Sequence, residues 1–176
     1  MKIHDLTLTA LLTAFLCVVA PWAVPAGPIP LSLATFGVYL VAAVGGLQRG
    51  TLAVLAYILL GAAGAPVFAG FAGGAQRLLG PTGGYLAGYV AAALCTGGFA
   101  DRFPGRRWPL LLGMLLGTAA LYALGTAWYM VQTESSLGSA LLLCVLPFLP
   151  GDTVKIAAAG ALALPLRLRL GRAAML

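Results

Sequence analysis

The chain has 176 residues, of which 61% are hydrophobic and 8% charged, with a formal charge of +6. Ordinary soluble domains hold roughly 25% charged residues, and a soluble fold of this length could not hide so much apolar surface, because too much of it would remain outside. A nucleic-acid binder is excluded as well: the cations cap apolar runs instead of mixing with aromatics on one soluble surface.

Apolar runs punctuated by Pro, Gly and charge fall at Leu6–Ala20, Leu31–Leu47, Gly50–Ala63, Gly84–Ala100 and Pro109–Val131. A shorter run, Leu137–Leu149, leads through Pro147 and Pro150 into a last one, Gly151–Leu166. Several fall below the ~20 residues that span a bilayer unaided, but apolar flanks lengthen them. The expectation is an all-α polytopic membrane protein forming a single domain over residues 1–176. It is a bundle of six transmembrane helices with an extra short helix before helix 6. Lys2 followed by an apolar run resembles a signal peptide, but Asp5 offsets the one lysine, so an uncleaved first helix is expected.

Six spans put both termini on one side. That side carries eight cations, Lys2, Arg49, Arg102, Arg106, Arg107, Arg167, Arg169 and Arg172, against Arg77 alone on the other. The positive-inside bias then makes both termini cytoplasmic in a cell membrane.

Two loops on the outer side are unusual. Pro21 to Pro30, "PWAVPAGPIP", has four prolines and no charge, a stiff and apolar segment. Gly64 to Tyr85 is long, rich in glycine and aromatic. Non-helical backbone this apolar persists at membrane depth only if protein buries it or it lines a cavity. Both loops are therefore candidates to lid a ligand site.

Small residues recur at four-residue spacing as Ala10 with Ala14, Gly84 with Gly88, and Gly113 with Gly117. Such ridges let helices approach closely. The glycine pairs are read as packing inside the bundle, and Ala10 and Ala14 as a candidate docking face for another membrane subunit.

Catalytic motifs are missing. No lysine directly follows a glycine, so there is no Walker A loop, and His4, the one histidine, lies at the amino terminus. The three cysteines, Cys17, Cys95 and Cys144, have no metal-ligand spacing, so no metal and no cofactor is expected. The chain is not read as an enzyme.

Asp152 and Lys155 are the exception to the apolar pattern. At i and i+3 they share one helix face. A charge inside a membrane helix costs about 2.5–3.5 kcal/mol on insertion scales and is functional by default expectation. An internal ion pair that only fixes helix register is the competing reading. A small polar ligand with N–H donors and a carbonyl or anionic acceptor would satisfy the pair, with Tyr85, Tyr39, Phe68 and Phe71 as candidate apolar walls.

These residues resemble the BioY family, the biotin-binding S components of energy-coupling-factor transporters. Three stretches carry the resemblance: "GLQRGTLAVLAYILLGAAGAPVFAG" (Gly46 to Gly70), "LLGPTGGYLAGY" (Leu78 to Tyr89) and "LPFLPGDTVK" (Leu146 to Lys155). The resemblance implies a six-helix bundle that takes biotin from outside and works with a transmembrane T component and two ABC-type ATPases, which alone use ATP. It also implies that Asp152 and Lys155 contact the ligand, that Tyr85 sits beside the pocket, and that Ala10 and Ala14 dock the T component.

One departure stands out. The family commonly has a threonine and, two residues later, a glutamine after the proline opening helix 2, where this chain has Ser32 and Ala34. Ser32 keeps a hydroxyl, Ala34 removes an amide, and Gln76 is a candidate substitute. Lys155 and Arg77 remain rivals for the ligand carboxylate. The alternatives are an S component for another vitamin and a membrane assembly subunit whose Asp152–Lys155 pair is structural.

Overall fold

The computed structural model describes residues 3–25 and 29–173. Lys2, residues 26–28 of the proline loop and the side chain of Arg172 lie outside the described set. Among the described residues the order is α1 (Ile3–Val19), β1 (Ala23–Val24), β2 (Leu31–Ser32), α2 (Ala34–Ala62), α3 (Gln76–Leu79), α4 (Gly83–Arg102), α5 (Arg107–Thr133), α6 (Leu137–Cys144) and α7 (Leu149–Ala173).

The helical membrane fold expected from the sequence is the one found, with α6 as the short helix before the last. By length and composition α5 is apolar enough to cross a membrane, and α2 passes the same test when its whole length is taken as one helix. The pair α6 and α7, bent by 48°, makes a third candidate.

Helix α2 is a hairpin. Gly46 has φ 74° and ψ −169°, which breaks the helix and which a residue with a Cβ adopts only at a cost. Leu16 packs on Gly37 and Leu12 on Gly45, so α1 runs antiparallel to the first limb. Asp5 pairs with Arg49 at 2.8 Å, and the Thr13 hydroxyl donates to the Ala53 carbonyl at 3.4 Å, so α1 runs parallel to the second. The limbs are therefore antiparallel, with Gly50 packed on the backbone of Ala42.

Helices α4 and α5 pack through their glycines. Gly84 and Gly88 face Trp128 and Leu121, while Gly113 and Gly117 face Phe99 and Ala92. A side chain at any of these four positions would meet the opposing helix, so both pairs serve internal packing.

A polar clamp closes the end where α1 begins. Asp101, on the last turn of α4, accepts the Leu47 N–H at 2.8 Å and the Arg167 guanidinium at 2.5 Å. Arg167 also donates to the Ala43 carbonyl at 3.1 Å. This pins the α2 turn, α4 and α7 together. The last apolar run was expected to stop at Leu166, yet α7 continues through Pro165 to Ala173. Proline there removes one helical N–H, a loss that membrane helices tolerate when neighbouring groups re-satisfy the backbone.

The opposite end holds the two loops, and their regular structure was not foreseen. β1 pairs antiparallel with β2, Ala23 opposite Ser32 and Val24 opposite Leu31, and α3 is a single turn within the long loop. Trp22 at this end and Trp108 at the other are both exposed, as aromatic residues at the two interfaces of a membrane protein often are.

Candidate binding site

At the loop end, the starts of α2 and α4, the middle of α5 and the first turn of α7 converge on one cavity of about 70 Å³. The charged residues lining it are Asp152, Lys155 and Arg77. Asp152 is 2% exposed. Leu149, Pro150 and Gly151 open α7, so its carboxylate enters the protein on the first turn, where helix N–H groups favour negative charge.

Four side chains form one closed network. Asp152 Oδ1 accepts from Lys155 Nζ at 2.8 Å and from the Thr35 hydroxyl at 3.0 Å. Asp152 Oδ2 accepts from the Tyr122 hydroxyl at 2.7 Å. Lys155 Nζ also donates to Thr35 Oγ1 at 3.1 Å. The proton bookkeeping is consistent, since Thr35 donates to the acid and accepts from the base. A carboxylate has about four lone-pair sites and an ammonium three N–H bonds. Three acceptor sites on Asp152 and two N–H bonds of Lys155 are in use, which leaves one acceptor and one donor for a ligand.

Tyr85 and Phe68 also line the cavity. The Tyr85 hydroxyl donates to the Cys144 carbonyl at 2.9 Å, tying α4 to the end of α6, and Gly125 leaves room for its ring. Phe68 sits on Gly61, edge-on to Tyr57 with ring centroids 5.6 Å apart. Tyr39 lies off the lining: it is fully buried and its hydroxyl shares a 2.6 Å hydrogen bond with Thr118. Gln76 is exposed on α3 and does not line the cavity. Ser32 does line it, and the Ala34 N–H donates to the Ser32 hydroxyl at 3.3 Å, so the serine orders the start of α2. Ala10 and Ala14 are exposed on α1 and do not line the cavity.

Thr35 and Tyr122 went unread in the sequence. Thr35 directly follows Ala34 in "PLSLATF", and Tyr122 is one of four hydroxyl residues in the apolar run of α5, with Thr118, Thr126 and Tyr129. The available signal was chemical, since a hydroxyl in a membrane helix seeks a partner, and the one buried acid needed donors. Tyr89 and Phe148 complete the walls.

The two loops meet above the cavity. The Gly70 N–H donates to the Pro21 carbonyl at 2.9 Å, and Trp22 packs edge-on to Phe71 at 5.7 Å. Phe71 holds this contact with a positive φ of 56°, which is uncommon for a bulky residue. Ile29 and Pro30 from the first loop and Phe68 and Ala69 from the second both line the cavity.

The profile of the BioY family matches residues 1–172. The chain is 42% identical over 153 residues to the biotin transporter BioY of Thermotoga maritima, covering 86% of this chain and 89% of that protein. It is 40% identical over 159 residues to the probable biotin transporter BioY of Pyrococcus horikoshii, covering 90% and 93%. Among solved structures it is similar to the S-component for biotin from an ECF-type ABC transporter, with a TM-score of 0.86 and 30% identity over 96% of this chain and 92% of that one.

Proposed function

This chain belongs to the BioY family, and from that premise we propose that it is the biotin-binding membrane subunit of a vitamin importer. The observation that carries the reading is the buried Asp152–Lys155–Thr35–Tyr122 network with one acceptor and one donor left over. A buried ion pair is seldom a stability device, because well-packed apolar residues of similar volume do as well or better. A ligand that uses the leftover valences accounts for its presence.

Biotin fits those valences. A cyclic-urea N–H donates to the free lone pair of Asp152, and the urea carbonyl accepts the third N–H of Lys155. The thioether ring and alkyl chain lie against Tyr85, Tyr89 and Phe68. Arg77 is exposed at the lining, and its guanidinium makes no hydrogen bond or ion pair among the described residues. It receives the carboxylate, which leaves Lys155 to the urea.

The subunit performs no chemistry of its own and needs no cofactor. It works with a transmembrane T component and two ABC-type ATPases, docking through Ala10 and Ala14. α1, the two limbs of α2, α4, α5 and α7 make the six crossings. Both termini are cytoplasmic, a reading supported by Arg49, Arg102, Arg106, Arg107, Arg167 and Arg169 lying at the end away from the cavity. The whole chain acts as one domain.

Equilibrium binding of biotin to the purified protein, stripped of endogenous ligand, tests this beside Asp152→Asn and a panel of other vitamins. Saturable one-to-one binding of biotin, lost in the variant, is the expected result. Binding of a different vitamin, or biotin binding that survives in Asp152→Asn, overturns it.

A further inference from the structure

Sharing no lining residue with the cavity, an open groove of about 630 Å³ lies between α1, the first limb of α2 and the end of α7. Its walls are aliphatic or aromatic, with Leu11, Val18, Val41 and Leu166 among them, and Arg169 is the one charged residue on its lining. Arg169 lies between the groove residues Leu166 and Leu170 of α7, at the clamp end of the bundle.

The acids near that end are already paired, and Arg102, Arg106 and Arg107 add further positive charge there. Asp5 is paired with Arg49, and Asp101 with Arg167. The Arg169 guanidinium makes no hydrogen bond or ion pair among the described residues. An apolar slot that ends in an uncompensated guanidinium at the cytoplasmic interface is complementary to one class of membrane molecule.

We propose that this groove binds one anionic phospholipid of the inner leaflet, with an acyl chain between α1, α2 and α7 and the phosphate on Arg169. Leu11 to Val18 span seven residues of helix, a slot on the order of 10 Å long, enough for the headgroup-proximal part of one chain. Basic positions between helices on the cytoplasmic side recognise anionic headgroups, at about 1 kcal/mol per residue near the surface. Ala14 lines the same groove, so the lipid covers part of the face proposed for docking and leaves it when the T component arrives.

The test is native mass spectrometry of the delipidated full chain titrated with phosphatidylglycerol or with phosphatidylcholine of identical acyl chains. The parent is expected to hold one phosphatidylglycerol with about fivefold preference over phosphatidylcholine, the ratio corresponding to one basic contact. Arg169→Gln removes the preference, and Val18→Trp, which fills the slot, lowers occupancy by both lipids. Biotin binding by each variant shows that it is folded. Equal binding of the two lipids by the parent, or a preference that survives in Arg169→Gln, overturns the proposal. Full occupancy in Val18→Trp with the preference lost in Arg169→Gln would place the lipid on the headgroup contact alone and overturn the groove.

Discussion

Removing Lys155 alone and removing it together with the charge of Asp152 should have opposite signatures. In Lys155→Met the carboxylate of Asp152, 2% exposed, keeps only the Thr35 and Tyr122 hydroxyls. Breaking one partner of a buried pair typically costs 3–5 kcal/mol. The lower figure, about 3 kcal/mol, applies here because 14% of the Lys155 side chain reaches solvent. In Asp152→Asn with Lys155→Met no charge remains, and the amide oxygen still accepts from Tyr122 or Thr35. Unfolding free energy should return to within about 1 kcal/mol of the parent, since replacing a whole buried pair is often neutral. Biotin binding should stay lost in both. Unfolding by SDS titration in mixed micelles measures the first quantity and isothermal calorimetry the second. A double variant as unstable as Lys155→Met would make the pair a structural keystone and refute this reasoning. So would a double variant that binds biotin like the parent.

Three further outcomes are expected. Tyr122→Phe, which removes a hydrogen bond to a carboxylate, should destabilise the protein by about 1.5–3 kcal/mol, against about 0.5–1.5 for Tyr85→Phe, whose acceptor is a neutral carbonyl; equal losses in thermal or SDS unfolding would contradict it. Gly46→Ala should cost about 2 kcal/mol, because φ of 74° is left-handed and the new methyl meets the Asp101 carboxylate. Gly105→Ala, with φ 76° and open space around it, should cost about 1 kcal/mol, and neither should change biotin affinity. Cross-linking cysteines placed at Trp22 and Phe71 should slow ligand exchange at least tenfold in a stopped-flow chase, and unchanged exchange would mean that these loops are not the entry route.

The class of fold was legible because membrane helices advertise themselves by composition, and Asp152 and Lys155 because charge is rare in them. Details that depend on two distant segments meeting were not. The break between the runs Leu31–Leu47 and Gly50–Ala63 was legible, but not that a positive φ at Gly46, packed under Asp101 of α4, makes the reversal. Tyr39 reads as a cavity wall by residue type, yet its hydroxyl is turned to Thr118. Thr35 is 117 residues from the acid it serves, a separation at which hydropathy patterns carry no information. The continuation of α7 past Leu166 was missed because the run was ended at the closing arginines, whereas Arg167 lies within the helix and pairs with Asp101 of α4.

The three charged residues lining the cavity sum to +1, from Arg77 and Lys155 against Asp152. A monoanionic vitamin brings that sum to zero. Carrying one uncompensated charge through a membrane potential of 100 mV exchanges about 2.3 kcal/mol with the field. The loaded subunit therefore presents no net charge at its site for the voltage to act on. Delivery of its cargo should run at the same rate in energised and in depolarised vesicles supplied with equal ATP, while the empty site, one charge short of neutral, remains the form that voltage can bias.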